Sequence, residues 1–329
     1  MTKISIIIPM YNVEKYINKC VSSTFKQDLK ESEFEIILVN DESPDNSLEL
    51  ANNLKANYSN ITIVSQKNKG LGGARNTGIK QAKGDYLLFL DADDFYLDNS
   101  IIKIITIAKK NNLDILEFGA QGVDKKGNII YQYQHSSSPN ILSGIEYYNT
   151  QKTINSACNK LYNRKFILQN ELFFIEKIFG EDFEFNTRSL YYANKIMSID
   201  FIVTNFLQSD NSITRSNNLE KKIKYLNDLI SILRKINALF ISCGIHKNEG
   251  HDAFFKKRMT VINIDIFYMM MKNNFLFSDI KNTKYMLKKE NIFYVRYTIN
   301  DIKKDIFRTI FLNFNFFFFR ILVTLKRLI

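Results

Sequence analysis

The amino-acid sequence predicts an α/β fold with a mainly parallel sheet flanked by helices, followed by a helical, basic C-terminal region. Two observations predict the sheet: short apolar runs, and segments between them whose apolar residues recur at helical spacing. Such runs are typical of strands buried on both faces. Their alternation with helices implies parallel strands joined by right-handed crossovers. A third observation, long helical patterns rich in Lys and Arg after residue 217, predicts the C-terminal region.

Strands and helices alternate in the first half of the chain. The predicted strands are ISIII (4–8), FEIILV (34–39), ITIV (61–64) and DYLLFL (85–90). The predicted helices between them are VEKYINKCVSSTF (13–25), NSLELANNLKANY (46–58) and GGARNTGIKQAKG (72–84). A further helix is expected to begin near Ile101.

The pattern after residue 113 is mixed and then becomes helical. Two strands are predicted, LDILEFGAQ (113–121) and GNIIYQYQ (127–134). Helices are predicted at 143–151, 164–172, 181–194, 218–243, 251–273 and 278–290. The change of pattern predicts two domains, residues 1–214 and 215–329.

Charge divides the chain at the same place. Residues 215–329 carry 22 Lys and Arg against 9 Asp and Glu, whereas residues 1–214 carry 23 against 25. A basic C-terminal part suggests an anionic surface as partner, either lipid or nucleic acid, or else a solvated face. No known nucleic-acid module is present, so we expect no nucleic-acid partner.

Composition and the first residues favour an ordinary globular protein of the cytoplasm. Hydrophobic residues make up 45% of the chain and charged residues 24%. The three cysteines are widely spaced and form no C-x-x-C pair, so neither a disulfide framework nor a cysteine zinc site is indicated. The apolar run near the N-terminus is too short for the core of a signal peptide.

Polar residues follow the ends of three predicted strands. Asp91, Asp93 and Asp94 come directly after the fourth strand and repel one another unless something positive offsets them. An acidic, solvated turn is the alternative. The segments VNDES (39–43) and PMYN (9–12) leave the second and first strands in the same way. Because ligands bind parallel sheets at the carboxyl ends of the strands, this convergence favours a ligand site.

Five segments of the chain resemble one enzyme family. In order and spacing they are similar to the family 2 glycosyltransferases, the inverting enzymes with the Rossmann-like GT-A fold, of the type that builds bacterial surface polysaccharides. The segments are SIIIPMYNVEKYINKCVSS, EIILVNDESPDNS, NKGLGGARNTGIKQAKGDYLLFLDADD, NKLYNR and EDFEF. The resemblance covers about residues 3–208 and is specific because five separate segments match.

The resemblance implies a metal and nucleotide site at the D-x-D motif. Asp93 would ligate Mn²⁺ or Mg²⁺, and Asp91 would contact the ribose or a metal-bound water. Asp41 would accept a hydrogen bond from the base, although the family's usual pair of aspartates is here Asn40-Asp41. Three more residues would bind the nucleotide or its diphosphate: Pro9, Tyr11 and Arg75. Burial in the core is the alternative for Tyr11, and a plain surface charge is the alternative for Arg75.

The resemblance also implies a catalytic base. An inverting transfer needs a carboxylate that takes the proton from the acceptor hydroxyl. Asp182 would be this base, with Glu181 beside it, and the alternative for both is an acidic helix N-terminus. Asn159 and Lys160 would lie near the donor sugar or the acceptor, as Glu181 could.

The last 27 residues predict an amphipathic tail. The apolar run is too short to span a bilayer. Large apolar residues recur at helical spacing and basic residues flank them, which is typical of a helix lying at the surface of an anionic membrane. The apolar residues are Phe311, Phe314, Phe317, Phe318, Ile321, Leu322 and Leu325. Packing on the protein's own core, or on a second copy in a homo-oligomer, is the alternative.

These observations predict an enzyme that moves a sugar from a nucleotide-diphosphate donor, such as a UDP-sugar, to a hydroxyl group. The acceptor would be a glycan or a lipid-linked molecule, and the enzyme would lie on the inner face of the cell membrane. A sugar-nucleotide nucleotidyltransferase is one alternative, although PMYNVEK lacks the glycine-rich phosphate loop that such enzymes place after the first strand. A non-catalytic membrane-associated binding protein is another.

Overall fold

The computed structural model describes residues 2–134, 138–208, 218–244, 248–299, 301–314, 316 and 319–321. Its contacts divide the chain into two compact units. The first consists of Met1–Tyr147 and Thr153–Arg215, and the second of Tyr148–Lys152 and Ser216–Ile329.

The first unit is built on one mixed sheet. In space the strands follow the order β3-β2-β1-β4-β9-β6-β10-β5, while β7 pairs with β6 and β8 with β10. The pairs among β1 to β4, and the pair of β6 with β10, are parallel, and β9 is antiparallel to both neighbours. The strands are β1 Ile4–Met10, β2 Phe34–Asn40, β3 Ile61–Ser65, β4 Tyr86–Phe89, β5 Phe95–Tyr96, β6 Ile115–Val123, β7 Ile129–Tyr133, β8 Ser138–Leu142, β9 Lys160–Asn163 and β10 Ile196–Leu207.

Helices connect these strands and cover the sheet. Every residue of β1 and β6 is buried, as expected for strands with both faces covered. The helices up to β10 are α1 Ile17–Thr24, α2 Ser47–Asn57, α3 Gly70–Gln81, α4 Ile101–Asn111, α5 Gly144–Thr150, α6 Arg164–Gln169 and α7 Glu181–Tyr192. The predicted α/β class is therefore confirmed.

The second unit is helical. Its helices are α8 Leu219–Ser242, α9 Glu249–Lys272, α10 Phe277–Lys289 and α11 Ile302–Phe307, and a π-helical segment, Arg308–Phe314, continues α11. Buried apolar side chains of α8 and α9 form much of its interior. The predicted helical C-terminal region is confirmed. Among the described residues, no helix is long and apolar enough to cross a membrane.

The described part of the C-terminal tail packs largely inward. Phe307, Leu312 and Phe319 are buried, and the Phe319 ring lies 5.5 Å from that of Phe307 between centroids. The Phe316 ring lies 6.3 Å from the Phe267 ring of α9. This is the core packing that the sequence left open as an alternative. Five of the seven apolar side chains predicted at helical spacing in the tail lie outside the described residues: those of Phe314, Phe317, Phe318, Leu322 and Leu325.

Candidate active site

The turn after β4 brings three carboxylates together. The Asp94 amide donates to the Asp91 carbonyl at 2.9 Å, which closes the turn, and the Leu207 amide donates to the Asp94 carboxylate at 2.8 Å. Burial and the Asp91 charge raise the pKa of Asp93 to about 6. Burial, Asp93 and Asp91 raise the pKa of Asp94 well above its ordinary value. Burial and mutual repulsion therefore both disfavour the ionised forms of Asp93 and Asp94.

Arg75 of α3 connects this turn to the start of α7. The Arg75 side chain is fully buried. Its Nη2 donates to Asp91 at 2.7 Å, and its Nη1 donates to Glu181 at 3.0 Å and to Asp182 at 2.6 Å. Burial lowers the pKa of Arg75, but Asp182 and Asp91 outweigh burial and raise it. One guanidinium thus holds three carboxylates that lie up to 107 residues from it in the sequence.

Glycines let α3 approach the sheet closely enough to place Arg75. A Cβ atom at Gly78 would overlap the Ile7 side chain of β1. A Cβ atom at Gly72 would lie 2.5 Å from the Ile175 carbonyl oxygen, well inside van der Waals contact. These close contacts of the glycine-rich segment are with the protein itself. Whether Arg75 also contacts a diphosphate stays a prediction.

Asp182 lies at the start of α7, and each of its two carboxylate oxygens accepts a hydrogen bond from a different partner. Oδ1 accepts from Arg75, and Oδ2 accepts from the Ala157 amide at 2.9 Å. Its side chain remains 20% exposed. Burial raises the pKa of Asp182 above its ordinary value, and Arg75 opposes this rise. A partly exposed carboxylate with a raised pKa is suited to accept a proton near neutral pH.

Glu181 shares Arg75 with Asp182 but is less accessible. Its side chain is 9% exposed. Burial and the Asp182 charge raise its pKa to about 7, while Arg75 opposes this rise. Of the two acids, Asp182 is the one with more surface open to a reactant.

Asn159 and Lys160 lie inside the protein. The Lys160 ammonium donates at 2.9 Å to the carbonyls of Ile154 and Ser156, and lies 3.3 Å from the Glu117 carboxylate. Asn159 donates to Glu117 at 3.1 Å. These bonds hold the loop that carries the Ala157 amide. The contact of Asn159 and Lys160 with a sugar stays a prediction. In the structure, these two side chains stabilise the loop.

Glu117 is a residue that the sequence analysis missed. It is fully buried in β6, and in addition to its contacts with Asn159 and Lys160 its carboxylate accepts from the hydroxyls of Tyr147 and Thr153 at 2.8 Å. The signal was present, because a charged residue stands inside the apolar run LDILEFGAQ. A charge at a buried strand position needs a partner of opposite charge, and Lys160 is that partner.

Three of the predicted nucleotide residues, Pro9, Tyr11 and Asp41, lie at or near the ends of β1 and β2. Tyr11 is 53% exposed, which rules out the alternative of a core position for its side chain. Pro9 is buried in β1 beside Val39 of β2. Asp41 is buried and accepts from the Gln66 side chain at 2.6 Å and from the Lys69 amide at 2.9 Å, just before α3 begins. Contact of these residues with a nucleotide stays a prediction.

Asp45 fastens the loop after β1 to the loop after β2. Its carboxylate accepts from the Glu14 amide at 2.9 Å and from the hydroxyls of Ser43 and Ser47 at 2.6 and 2.5 Å. Burial raises the pKa of Asp45, but these hydrogen bonds outweigh burial and lower it to about 2. Asp45 therefore stabilises the loop that carries Tyr11.

A family model fits the half of the chain that contains Arg75 and the carboxylate turn. The model of glycosyl transferase family 2 matches residues 5–169, which include β1 to β9, Arg75 and the carboxylate turn. The chain belongs to glycosyl transferase family 2. Curated relatives and solved structures agree with this membership and with the GT-A fold.

Family 2 relatives match over only part of their length. The uncharacterized glycosyltransferase EpsJ of Bacillus subtilis is 34% identical over 64% of this chain and 62% of its own. The poly(ribitol-phosphate) beta-glucosyltransferase of Bacillus spizizenii is 28% identical over 60% of this chain and 31% of its own. The matched region is thus less than two thirds of either relative.

The structural match extends further along the chain. Residues 1–349 of TarS from Staphylococcus aureus, in a crystal structure with UDP-GlcNAc, superimpose with a TM-score of 0.65 and 22% identity. The match covers 82% of this chain and 73% of that one. At this identity the match shows the shared GT-A fold alone.

Proposed function

We propose that this protein is an inverting glycosyltransferase that moves a sugar from a nucleoside diphosphate donor to a hydroxyl group of a glycan or lipid-linked acceptor. The observation that carries the proposal is the Arg75 cluster. It joins the predicted base, Asp182, to Asp91 of the D-x-D motif through one guanidinium. The residues proposed to bind the donor and to accept the proton are thereby held together.

A divalent cation fits the carboxylate turn. Arg75 pairs with Asp91, and burial and the Asp91 charge raise the pKa of the neighbouring Asp93 to about 6, so a cation would stabilise the ionised form of Asp93. Within the described ranges, no group of three or more acidic, histidine or cysteine side chains is arranged to hold a metal ion by itself. Asp93 would therefore hold the cation together with phosphate oxygens, as is common for Mg²⁺. When bound, Mn²⁺ or Mg²⁺ supplies positive charge for the departing diphosphate.

Asp182 would accept the proton during transfer. The acceptor oxygen forms a bond to the anomeric carbon on the side opposite the diphosphate, and the bond from that carbon to the diphosphate oxygen breaks. The acceptor proton passes to the Asp182 carboxylate, whose two oxygens are held by Arg75 and the Ala157 amide. The nucleoside diphosphate leaves with the electron pair of the broken bond.

The relatives favour a UDP-sugar donor and an anionic polymer as acceptor. TarS is named as a poly(ribitol-phosphate) beta-N-acetylglucosaminyltransferase, and its structure was solved with UDP-GlcNAc. We propose the same class of donor here, with an acceptor that is a cell-surface glycan or its lipid-linked precursor. We also propose that the enzyme works at the inner face of the cell membrane.

The decisive experiment compares two adjacent acid variants. Release of UDP from a panel of UDP-sugars is measured with candidate acceptors and Mn²⁺, for the natural protein and for Asp182→Asn and Glu181→Gln. Asp182→Asn is expected to slow transfer by about two to four orders of magnitude, the usual contribution of a positioned base. Binding of UDP should be nearly unchanged in both variants.

The Glu181→Gln variant is the control that distinguishes the proposed base, Asp182, from the acid beside it. Glu181→Gln keeps the Asp182 carboxylate and should slow transfer much less than Asp182→Asn. If Asp182→Asn transfers sugar at nearly the natural rate, the proposed base is wrong. If no UDP-sugar is turned over and none binds, the proposed donor class is wrong.

A further inference from the structure

Glu117 and Lys160 form a buried ion pair that the proposed transfer does not use directly. They lie opposite each other in the antiparallel pair of β6 and β9, and the Lys160 ammonium is 3.3 Å from the Glu117 carboxylate. A buried ion pair often contributes no more stability than apolar residues of similar volume. Stability alone therefore does not explain a charged pair at this position.

The contacts of this pair converge on the loop between α5 and β9, which we call the α5–β9 loop. The Thr153 hydroxyl donates to the Glu117 carboxylate at 2.8 Å, and the Ile154 amide donates to it at 3.3 Å. The Lys160 ammonium donates to the carbonyls of Ile154 and Ser156, each at 2.9 Å. The ion pair thus fixes the loop at Thr153, Ile154 and Ser156.

The next residue of the α5–β9 loop contacts the proposed base. Directly after Ser156, the Ala157 amide donates to Oδ2 of Asp182 at 2.9 Å. Arg75 donates to the other oxygen, Oδ1, at 2.6 Å. A carboxylate that accepts a proton must be oriented toward the reacting hydroxyl. The place of the Ala157 amide therefore helps to decide how the Asp182 carboxylate is oriented.

The Ala157 amide also affects the ionisation of Asp182. Burial raises the pKa of Asp182, Arg75 opposes this rise, and Asp91 adds to it. The Ala157 amide and Lys160 lower the pKa, because a donated hydrogen bond and a positive charge both favour the ionised form. Further titratable groups that face Asp182 are Glu181, Cys158 and Tyr162. Loss of the amide bond would leave less of Asp182 ionised at a given pH.

We propose that Glu117 is a positioning residue for Asp182: paired with Lys160, it holds the α5–β9 loop so that the Ala157 amide stays on the Asp182 carboxylate. Glu117 is fully buried, so it acts through the loop and not by touching a substrate. This role rests on the proposed function, in which Asp182 accepts the proton. Changes on the loop side of Glu117 should therefore affect transfer more than changes on its other side.

Two hydroxyls on the same carboxylate provide a matched pair of variants. Thr153 of the loop and Tyr147 of α5 each donate to Glu117 at 2.8 Å. Thr153→Val and Tyr147→Phe each remove one hydroxyl without changing any charge. Thr153→Val should slow release of UDP during sugar transfer by about 3- to 10-fold at pH 6.5, the usual effect of one hydrogen bond. The loss should be smaller at pH 8.5, where more of Asp182 is ionised. Tyr147→Phe should change the rate by less than about twofold at either pH.

Hydrogen–deuterium exchange tests the hold on the loop without any substrate. The Ala157 amide should exchange about 3- to 10-fold faster in Thr153→Val than in the natural protein. In Tyr147→Phe it should exchange at the natural rate. If the natural protein turns over no UDP-sugar while this difference in exchange is seen, the proposed function is overturned, and only the hold of Glu117 on the loop stands.

A double variant should give a larger effect of the same kind. E117L/K160M replaces the ion pair by apolar residues, so no buried charge is left unpaired. It should slow transfer by about 10- to 100-fold and speed the exchange of the Ala157 amide further. Circular dichroism and unchanged UDP binding check that each variant is folded. Natural transfer rates at both pH values in folded Thr153→Val and E117L/K160M would overturn the positioning role. So would the same pH dependence of transfer in Thr153→Val and Tyr147→Phe.

Discussion

Arg75 is the residue on which the candidate active site depends. A buried charge is costly unless partners compensate it, and here three carboxylates do so. The benefit is mutual, because Asp91, Glu181 and Asp182 would otherwise repel one another at close range. The guanidinium fork can bond to several carboxylates at once, which the single ammonium of a lysine cannot do in the same geometry.

Removing Arg75 should therefore destabilise the fold strongly. We expect Arg75→Met to lower the free energy of unfolding by about 3–5 kcal/mol, the usual result of leaving buried partner charges uncompensated. The control is Arg234→Met, which breaks an ion pair with Glu290 at 2.7 Å in which Arg234 is half exposed. Such surface pairs contribute about 0.2–1 kcal/mol. Urea unfolding measures both, and equal losses in the two variants would contradict this account.

Sequence could locate the residues of this cluster but not their contacts. Asp91, Arg75 and Asp182 stand in motifs whose order is visible along the chain. Their pairing depends on how α3, the turn after β4 and α7 come together, which no local pattern specifies. Lys160 illustrates the limit: its motif suggested a ligand contact, whereas its burial beside Glu117 follows from the pairing of β6 with β9.

At the scale of elements, local periodicity predicted most strands and helices well. The first three strands and α8 to α10 lie within a few residues of their predicted positions, because buried runs and amphipathic spacing are local signals. Among the strands of the described residues, four were not predicted: β5, β8, β9 and β10. β5 has only two residues, and β9 was interpreted only as a functional motif. Their existence depends on partners distant in sequence.

Asp45 provides a prediction for the loop before α2. We expect Asp45→Asn to lower the free energy of unfolding by about 1–2 kcal/mol at pH 7, because charged hydrogen bonds at a helix start are lost. The folded pKa of Asp45 is lowered to about 2, below the unfolded value of about 3.9. Its contribution is therefore full above the unfolded value and is lost as the pH falls toward 2.

Urea unfolding at pH 7 and at the lowest pH where the fold persists checks this prediction. The exposed Asp200, changed to Asn, is the control and should alter stability by less than about 0.5 kcal/mol. If the difference in free energy of unfolding between Asp45→Asn and the natural protein grows as the pH falls, the predicted direction of the pH dependence is wrong.

The two faces of the tail could not be assigned from sequence. Phenylalanines and isoleucines both recur at helical spacing there, so periodicity does not tell which set points inward. The change from α11 to a π-helical segment at Arg308 also alters the angle between successive residues. The structure resolves this for the described residues by burying Phe307, Leu312 and Phe319.

Phe319 should accordingly contribute to folding. We expect Phe319→Ala to lower the free energy of unfolding by about 3–5 kcal/mol, as is usual when a buried aromatic side chain is removed. Ile302→Ala, on the exposed side, should change it by less than about 0.5 kcal/mol. Thermal unfolding of both variants without lipid distinguishes the faces. A Phe319→Ala protein as stable as the natural one would mean that this ring is not part of the core.

At the scale of the whole molecule, the contacts divide the chain into two units, and the sequence gives the two parts different net charges. The first unit contains the candidate active site and has nearly equal numbers of basic and acidic residues, whereas the second has a large excess of basic over acidic residues. The family model ends at residue 169, so it includes the D-x-D turn but not Asp182 or the second unit. A role for the second unit must therefore be argued from its own surface.

Ligand binding should stabilise the whole protein through Asp93. UDP with Mn²⁺ is expected to raise the free energy of unfolding by about 2.7 kcal/mol at about one hundred times the dissociation constant. In Asp93→Asn the part of this gain that requires Mn²⁺ should disappear. Without ligand the variant should be at least as stable as the natural protein at pH 8. The folded pKa of Asp93 is raised to about 6, above the unfolded value of about 3.9. The natural protein therefore loses stability as the pH rises from about 4 through 6, and at pH 8 the asparagine variant avoids this loss.

Thermal unfolding with UDP, with Mn²⁺ and with both separates these contributions. The control is Asp98→Asn, an exposed acid shortly after β5, which should keep the full gain from UDP and Mn²⁺. If Asp93→Asn keeps it as well, the cation is held elsewhere. If the ligand-free variant unfolds at a lower temperature than the natural protein, the Asp93 side chain stabilises the turn itself. The expected cost of ionising Asp93 is then wrong.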